Sequence, residues 1–416
     1  MRELISVING RLPRTGKDIS ISVGSKNVII TGMNGCGKTV FLKALLEAVS
    51  FSTSPGKKSR RTYLLEQIAH FEGIFLNQVN YPSKVLDNYK NELERNKREL
   101  SALFNVNEID ITWKDHDAVL DKSDRGNFIV SFFEATRQYS RMNRQYSQDV
   151  VTLAGIKNDG RQQQLSSDFS VNFESYLVAF FEAGYMASMI RNDPNEKLRV
   201  DNWLSAVVND LRYLFEDDSL LLTYNEQEKC FYINQREKTP YTFSTLSSGY
   251  SSILRVYADL LMKVELHEIN KEELSGVVII DEIDAHLHIS LQKKIFSFLA
   301  RSYPKIQFIV STHSPFVLQS VDDAVIYDLS KLEQLEDLSF YSYDAIAKGL
   351  LGVNTNSQSL SEIMSELSSL TSDVALNRVR IQELIEHISP VEARLDSKSK
   401  VILLMAKQAI EDFGGL

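Results

Sequence analysis

The sequence contains little cysteine and no apolar run long enough to span a bilayer. Its two cysteines in 416 residues, Cys36 and Cys230, cannot form the disulfide framework that small secreted proteins use. The most apolar stretch, residues 176–190, is interrupted by Glu182 and Gly184 and is shorter than the roughly 20 residues that a transmembrane helix needs. We predict a buried helix there, which excludes a complete membrane transporter.

Basic residues are not in excess either, because the formal net charge is −9. Any contact with nucleic acid must therefore come from a local basic patch. The candidates for such contacts are Lys57, Lys58, Arg60, Arg61, Arg137, Arg141 and Arg144. The alternative is that these side chains are ordinary solvated surface. The first residues also lack the apolar segment of a signal peptide, so we expect a cytoplasmic protein without membrane contact.

The apolar pattern predicts an α/β fold. A hairpin is indicated at residues 220–223 and 230–233, and the other predicted strands are residues 4–8, 19–23, 27–30, 128–133, 277–280, 307–310 and 324–327. Because strands and helices alternate in the second half of the chain, we expect a mixed, mainly parallel sheet flanked by helices. Residues 143–169 are polar and predict a loop, whereas the C-terminal segment has helical patterns.

A seven-residue repeat predicts a short helical arm. Leu86, Leu93 and Leu100 are spaced by seven, while Asn96 stands where an apolar residue is expected. The pattern is typical of a coiled coil of about three heptads. An amphipathic helix packed on its own domain is the alternative.

Residues 32–39, GMNGCGKT, match the phosphate-loop pattern G-x-x-x-x-G-K-[ST]. Glycines let successive N–H groups point at one phosphate chain, and the helix that follows adds its positive N-terminus. Lys38 is expected to reach the β- and γ-phosphates, and the Thr39 hydroxyl to bind Mg²⁺. We therefore predict ATP and Mg²⁺ as cofactors. The predicted nucleotide contacts in this loop are Asn34, Gly35, Cys36, Gly37, Lys38 and Thr39, with Cys36 supplying only its backbone amide.

A second acidic site follows the apolar run at residues 277–280. Asp281 stands where a phosphate-loop protein places the carboxylate that holds Mg²⁺. Glu282 is adjacent and is predicted to act as general base on the attacking water. The alternative is a solvated acidic turn. His286 and His288 lie nearby, but no third ligand accompanies them, so we expect a subunit contact there and not a metal site.

Two further motifs resemble the ABC ATPase superfamily. Residues 246–250 read LSSGY where the family has an LSGGQ-like signature, so the third and fifth positions depart while Ser247 and Gly249 match. The resemblance implies that Ser247, Ser248 and Gly249 close over ATP bound to another subunit. A serine-capped helix start is the alternative. His313, in the segment STHSP, looks like the family's switch histidine, which contacts the γ-phosphate and the attacking water.

The glutamine-loop residue of the family is harder to place. Gln138 and Glu134 follow the strand at residues 128–133 and are candidates, with Gln78 as a competitor.

The resemblance implies an α/β ABC-type nucleotide-binding domain with a helical or short coiled-coil insertion and a helical C-terminal tail. Four segments are expected: residues 1–51 as an N-terminal lobe with the phosphate loop, 52–215 as the insertion, 216–335 as the C-terminal lobe, and 336–416 as the tail. The family's composite site further implies a homodimer or a higher homo-oligomer.

The residues around these motifs indicate the branch of the superfamily. An insertion after the phosphate loop resembles the SMC, RecF and OLD group, and residues 281–288 and 311–316 look like OLD-like ATPases. The C-terminal segment is similar to ATPase subunits of bacterial anti-phage systems of the Septu type, with PARIS and retron-associated ATPases as near alternatives. The resemblance implies an ATPase that regulates a separate HNH or Toprim nuclease.

We predict no nuclease centre in this chain, because the segment after His313 lacks the D-x-D set of a Toprim domain. A DNA-repair ATPase that clamps DNA is the main alternative function, and a transporter ATPase subunit is a third.

Overall fold

The computed structural model describes residues 4–13, 15–76, 82–104, 108–139, 152–320, 323–335, 338, 341–350 and 358–414. The chain divides into two compact units, Met1–Tyr343 and Asp344–Leu416. The strands within the described residues are β1 Ile5–Arg11, β2 Asp18–Ser22, β3 Asn27–Thr31, β4 Ile109–Trp113, β5 Phe128–Phe133, β6 Leu221–Asn225, β7 Cys230–Asn234, β8 Tyr241–Thr242, β9 Ser275–Ile280, β10 Ile306–Ser311, β11 Ala324–Asp328 and β12 Glu333–Leu335.

Helices account for most of the remaining chain. Those in the described residues are α1 Lys38–Ser52, α2 Lys57–Leu76, α3 Ser83–Ala102, α4 His116–Asp124, α5 Leu153–Gln162, α6 Phe173–Arg191, α7 Pro194–Phe215, α8 Ser248–His267, α9 Ile289–Gln292, α10 Ile295–Ser302, α11 Pro315–Leu318, α12 Tyr343–Gly349, α13 Gln358–Leu370, α14 Val374–Ile388 and α15 Ser397–Gly414. No helix in these ranges is both long and apolar enough to cross a bilayer.

The central sheet of the first unit has the strand order β12-β11-β3-β10-β9-β5. Its neighbours pair in parallel except for β11 and β12, which are antiparallel. Strands β3, β9 and β10 are buried along their whole length, as expected where helices cover both faces of a parallel sheet. The predicted α/β class with a mixed sheet is confirmed. Because carboxyl ends of parallel strands meet at one edge, the loops after these strands lie close together.

Two antiparallel sheets accompany the central one, with strand orders β2-β1-β4 and β6-β7-β8. The predicted hairpin is β6 against β7, in which Leu222 pairs with Ile233. Strand β4 was not predicted from the sequence. It pairs with β1 in a register that places Ile111 opposite Ile8, so a segment more than a hundred residues downstream completes the N-terminal sheet.

Two local predictions were wrong. Residues 143–169 were expected to be a loop, yet α5 forms within them, and the Thr152 hydroxyl caps it by accepting from the Gly155 N–H at 3.1 Å. Only Ile156 and Gly160 of α5 are buried, so its sequence lacks the regular spacing of apolar residues that predicts a helix. Helix α6 forms where a buried helix was predicted, but only its first part is buried, since Met189 near its end is 82% exposed.

Helix α3 packs against α2 and forms a short two-helix arm. Tyr89 of α3 meets Phe71 of α2 with ring centroids 5.6 Å apart, and Lys97 pairs with Glu72 at 2.6 Å. Asn96, which interrupts the heptad pattern, is buried in α3. The apolar register of α3 therefore faces a helix of the same chain.

The basic run at the base of this arm has intramolecular partners. Lys58 pairs with Asp121 and Arg60 with Glu99, each at 2.5 Å, and Arg61 pairs with Asp117. The Lys57 ammonium lies 3.1 Å from the centroid of the Phe51 ring, and burial lowers the pKa of Lys57 to about 8. Lys57, Lys58 and Arg61 therefore hold the arm to α1 and α4, whereas Arg60 joins the two helices of the arm. The sequence pattern did not distinguish this structural use from phosphate contacts.

The second unit contains a small helical core of its own. Helices α13, α14 and α15 pack through buried side chains that include Leu367, Ile381, Leu384, Leu403 and Ala406. The predicted helical C-terminal segment is therefore present.

A buried ion pair ties helix α8 to the central sheet. Lys263 donates to Asp259 at 2.5 Å and to the Ser131 hydroxyl of β5 at 2.8 Å, and both charged side chains are 1% exposed. Asp259 also accepts the Phe169 N–H at 2.8 Å. Burial raises the pKa of Asp259. Each charge is thus stabilised mainly by its partner.

We predict that Lys263→Met lowers the free energy of unfolding by about 3–5 kcal/mol, because it leaves one carboxylate buried without its cation. The loss should increase as pH rises, since a buried aspartate with a raised pKa favours the protonated form and is penalised once it ionises. Urea unfolding followed by tryptophan fluorescence measures this, because both tryptophans, Trp113 and Trp203, lie in the first unit.

The double variant Lys263→Met with Asp259→Leu is the control. It should recover much of the lost stability, because the unpaired charge is gone, while the Phe169 N–H loses its acceptor and the Ser131 hydroxyl its donor. A single variant as stable as the wild type at every pH would contradict the prediction.

Candidate nucleotide site

The phosphate loop joins β3 to α1 in the way that the motif predicts. Gly37 precedes the helix with φ 101°, and a Cβ placed there would meet no atom within 4 Å. Glycine is therefore needed for its backbone conformation and not for space. A loop of this shape in front of the 15-residue helix α1 forms a concave array of N–H groups suited to an anion.

Lys38 is buried at the first position of α1, 6% exposed, and its ammonium group faces back into the loop. It donates to the carbonyl oxygens of Gly32 at 3.0 Å and Met33 at 3.2 Å, and lies 3.9 Å from the Cys36 sulfur. Burial lowers the pKa of Lys38, while the nearby Asp281 and Glu282 carboxylates oppose that shift. The Cys36 thiol therefore lies beside the lysine, a placement that its predicted backbone role did not include.

The loop is also held from the neighbouring strand. The Ser330 hydroxyl, just after β11, accepts the Met33 N–H at 2.7 Å. Asp328 in turn accepts the Ser330 N–H at 2.8 Å and is fully buried. Neither Ser330 nor Asp328 stands out in the sequence, because their importance arises only from the pairing of β11 with β3.

The predicted metal ligands Thr39 and Asp281 are brought into direct contact. The Thr39 hydroxyl donates to Asp281 Oδ2 at 2.6 Å, and the Ser311 hydroxyl donates to Asp281 Oδ1 at 2.5 Å. Asp281 is 2% exposed, so its charge is directed toward these hydroxyls and the phosphate loop. A carboxylate beside a hydroxyl is a hard oxygen pair of the kind that Mg²⁺ prefers, so the residues present fit this ion.

Glu282 follows in a strained turn. Its φ is 47°, in the left-handed region that non-glycine residues seldom adopt. The Glu282 N–H donates to the Ser311 hydroxyl at 2.7 Å, and the Ile283 N–H donates to the Ser311 carbonyl at 3.0 Å. Ser311 therefore fixes both acidic residues at once. In the sequence, Ser311 stands out only as part of the histidine motif, and nothing near it indicates this role.

His313 lies at the end of β10, half-buried, with Lys38, Asp281 and Glu282 among its electrostatic neighbours. The preceding Thr312 anchors it, since the Thr312 hydroxyl donates to Asp284 at 2.5 Å and its N–H donates to the Ile30 carbonyl at 3.1 Å. Burial, and next the Lys38 charge, lower the pKa of His313. The imidazole is thus neutral at pH 7 and can accept or donate one hydrogen bond.

The signature-like segment lies at the N-terminus of α8. Ser247 is the N-cap residue, is exposed with Ser248, and makes no side-chain cap hydrogen bond. A Cβ on Gly249 would come within 2.6 Å of the His286 carbonyl oxygen, so only glycine allows this close approach. Among the contacts that the structure describes, no hydrogen bond joins Ser247–Gly249 to the phosphate loop of the same chain.

His286 and His288 are both exposed near this segment. His288 Nδ1 lies 2.9 Å from the Ser290 hydroxyl at the start of α9. Both side chains therefore lie on the surface, and the His286 backbone meets the signature-like segment at Gly249.

Two glutamine-loop candidates, Glu134 and Gln138, are exposed and lie on either side of a buried arginine. Glu134 is exposed and pairs with Lys43 of α1 at 3.2 Å, and Gln138 is exposed. Gln78 lies outside the described residues. Between the first two, Arg137 is 3% exposed and donates to backbone carbonyls of the acidic turn. Its assignment to a DNA-contacting patch was therefore wrong, because the side chain points into the protein.

Arg141 and Arg144 lie outside the described residues, so the rest of that patch stays a prediction.

Residues 28–319 match the family model described as "AAA domain, putative AbiEii toxin, Type IV TA system". This range is more than half of the chain. The chain belongs to this family. Its predicted ATPase class is confirmed, and nucleotide binding follows from it.

Three similar proteins agree with the resemblance noted in the sequence. The Septu protein PtuA of Bacillus mycoides (strain KBAB4) is 25% identical over 80% of this chain and 41% of its own length. The Septu protein PtuA of Bacillus thuringiensis is 23% identical over 89% of this chain and 84% of its own length.

A third relative, the "Retron Ec83 probable ATPase" of Escherichia coli, is 41% identical, but over only 20% of this chain and 16% of its own length. The chain thus spans about two fifths of the length of the first of these relatives and most of the second. The predicted resemblance to ATPases of the Septu and retron-associated types is confirmed.

We predict that the ring protons of His313 titrate with a midpoint below the ordinary 6.5 in the ligand-free protein, because burial and Lys38 both disfavour the imidazolium. Proton NMR over a pH series measures this, and His313→Asn identifies the resonance among the seven histidines. Lys38→Met should move the midpoint upward, since it removes the opposing charge. A midpoint at or above 6.5 in the wild type would show that the site is more solvated than the structure indicates.

Proposed function

We propose that this chain binds ATP with Mg²⁺ in a site completed by a second copy, and that it acts as the ATPase of an anti-phage defence assembly. One observation carries the proposal: Lys38, Thr39, Asp281, Glu282 and His313 converge at one edge of the sheet. The membership of the family and the names of the relatives support the defence role.

The residues of the half-site have distinct tasks in hydrolysis. The loop N–H groups and the Lys38 ammonium bind the phosphates, for which Lys38 exchanges its present carbonyl partners. Thr39 and Asp281 would hold Mg²⁺, which supplies charge neutralisation at the β- and γ-phosphates. Glu282 accepts the proton of the attacking water, and neutral His313 orients that water or the γ-phosphate by a hydrogen bond.

The signature-like segment is proposed to serve the nucleotide of the other copy. Ser247 and Ser248 are exposed at the start of the 20-residue helix α8, where N–H groups and a serine hydroxyl form an anion site. Gly249 has no side chain, so the start of α8 can pack directly on the His286 carbonyl. A two-fold dimer would place each segment opposite the partner's phosphate loop.

The assembly is proposed to include a separate nuclease of the HNH or Toprim type. The chain would restrain or release that effector according to whether ATP holds two copies together. Support comes from the resemblance of this chain to Septu and retron ATPases, and the coupling would pass through the dimer that ATP closes.

A mixing experiment tests the composite site. Lys38→Ala and Ser247→Arg should each abolish hydrolysis, since the first removes a phosphate ligand and the second blocks the segment offered to the partner. Random pairing of the two variants gives mixed dimers with one intact site each, so about a quarter of wild-type turnover should return. Steady-state phosphate release measures it.

The matched control mixes Lys38→Ala with Glu282→Gln. Both changes affect the same half-site, so this mixture should stay inactive. If the first mixture is as inactive as its components while both variants fold and pair, the site lies within one chain and the proposal of a shared site is wrong.

A separate prediction concerns the effector. The tagged chain, purified from its native host, should bring down a nuclease in a fixed ratio that changes when Glu282→Gln retains ATP. Mass spectrometry with quantification of both chains measures this ratio. Recovery of the ATPase alone from wild type and variant would count against nuclease regulation.

A further inference from the structure

Arg137 is a buried cation whose described hydrogen bonds all go to backbone carbonyl oxygens. Nη1 donates to Glu134 at 3.1 Å and to Asp281 at 2.8 Å. Nη2 donates to Glu282 at 3.1 Å and to Ile283 at 3.0 Å. One guanidinium group therefore holds four carbonyls, three of them consecutive in the acidic turn. A planar fork with five donors can do this, whereas an ammonium group has only three donors and no fixed fork.

The turn that Arg137 holds carries the proposed general base. Glu282 has φ 47°, a strained conformation that persists only where surrounding contacts impose it. Ser311 fixes its N–H from one side, and Arg137 fixes its carbonyl from the other. Since the backbone conformation at a residue sets the direction of its Cα–Cβ bond, these two contacts limit where the Glu282 carboxylate can lie.

Charge strengthens this arrangement. Arg137 is 3% exposed, and burial lowers its pKa to about 10, so the group remains a cation at neutral pH. The Asp284, Asp281 and Glu282 carboxylates are its stabilising neighbours. The guanidinium thus lies beneath a cluster of three acids and offsets part of their mutual repulsion.

The segment around Arg137 also reaches the signature-like helix. The Tyr139 N–H donates at 2.8 Å to the hydroxyl of Ser251, whose own N–H donates to the Ser247 carbonyl in the first turn of α8. Glu134, at the other end of the segment, pairs with Lys43 of α1. Residues 134–139 therefore contact the phosphate-loop helix, the acidic turn and α8.

We propose that Arg137 is a positioning residue that holds Glu282 in the orientation needed for hydrolysis. The inference rests on the proposed function, in which Glu282 is the general base. Arg137 touches neither nucleotide nor water in this scheme, and it acts only through the backbone of the turn.

The test separates turnover from nucleotide binding. Arg137→Lys keeps a cation but loses the fork, so kcat should fall about tenfold or more because the base is displaced. The Kd for a non-hydrolysable ATP analogue, measured by calorimetry, should stay within about twofold, because the phosphate ligands are unchanged. The same substitution at Arg212, which donates to the Leu220 carbonyl at 2.9 Å in a different segment, is the matched control and should leave kcat unchanged.

Chemical rescue makes the test independent of folding losses. Arg137→Ala leaves the carbonyls of the turn without their donor, so millimolar guanidinium should restore part of kcat, whereas the same concentration of urea should not. Rescue of Arg137→Ala together with an unchanged Kd supports a positioning role. An unchanged kcat in Arg137→Lys, loss of nucleotide binding in parallel with kcat, or absence of rescue overturns it.

Glu282→Gln distinguishes this inference from the proposed function. If Glu282→Gln hydrolyses ATP at the wild-type rate, the assignment of the base is wrong and the role of Arg137 falls with it. If Glu282→Gln is inactive while the Arg137 variants turn over normally, only the positioning role is wrong.

Discussion

The hydrogen bonds that Asp281 accepts from Thr39 and Ser311 are the contacts on which the nucleotide site depends. They join residues from β9, β10 and the start of α1, which are more than two hundred positions apart at the extremes. The parallel order β3-β10-β9 makes this possible, because β10 lies between the strand of the phosphate loop and the strand of the acids. The order of the strands in the sheet therefore brings these three residues together.

Burial of charge is the physical cost of this arrangement, and the protein meets it in two ways. Lys263 is neutralised by Asp259 within α8, a conventional buried ion pair. Lys38 and Arg137 are instead solvated by carbonyl oxygens of the phosphate loop and the acidic turn. Carbonyl partners leave the carboxylates of the site available for a metal and a water, whereas a carboxylate partner would consume one of them. The same choice leaves Lys38 able to exchange its partners for phosphate oxygens.

The motif residues could be predicted from the sequence because their spacing is local and their chemistry is specific. Lys38 and Thr39 follow from eight consecutive residues, and the central strands follow from short apolar runs bounded by these motifs. Ser311 and Arg137 could not be assigned their roles, because nothing near them in the chain shows that they meet the acidic turn. Strand β4 and helix α5 could not be predicted for a related reason. They are stabilised by partners far along the sequence, and not by the pattern of their own residues.

The contact of Gly249 with His286 joins the start of α8 to the chain next to the acidic turn. It places the signature-like segment directly on the chain that follows the acidic turn. Arg137 and Tyr139 connect the same turn to α8 by a second route. Two independent contacts therefore link the residues that would respond to the γ-phosphate with the surface that would meet another copy. Because closely packed interiors transmit strain, a displacement of the turn would be passed to the start of α8 through these contacts. In the proposed function, these contacts would connect the state of the nucleotide to the association of two copies, and any control of a bound effector would begin there.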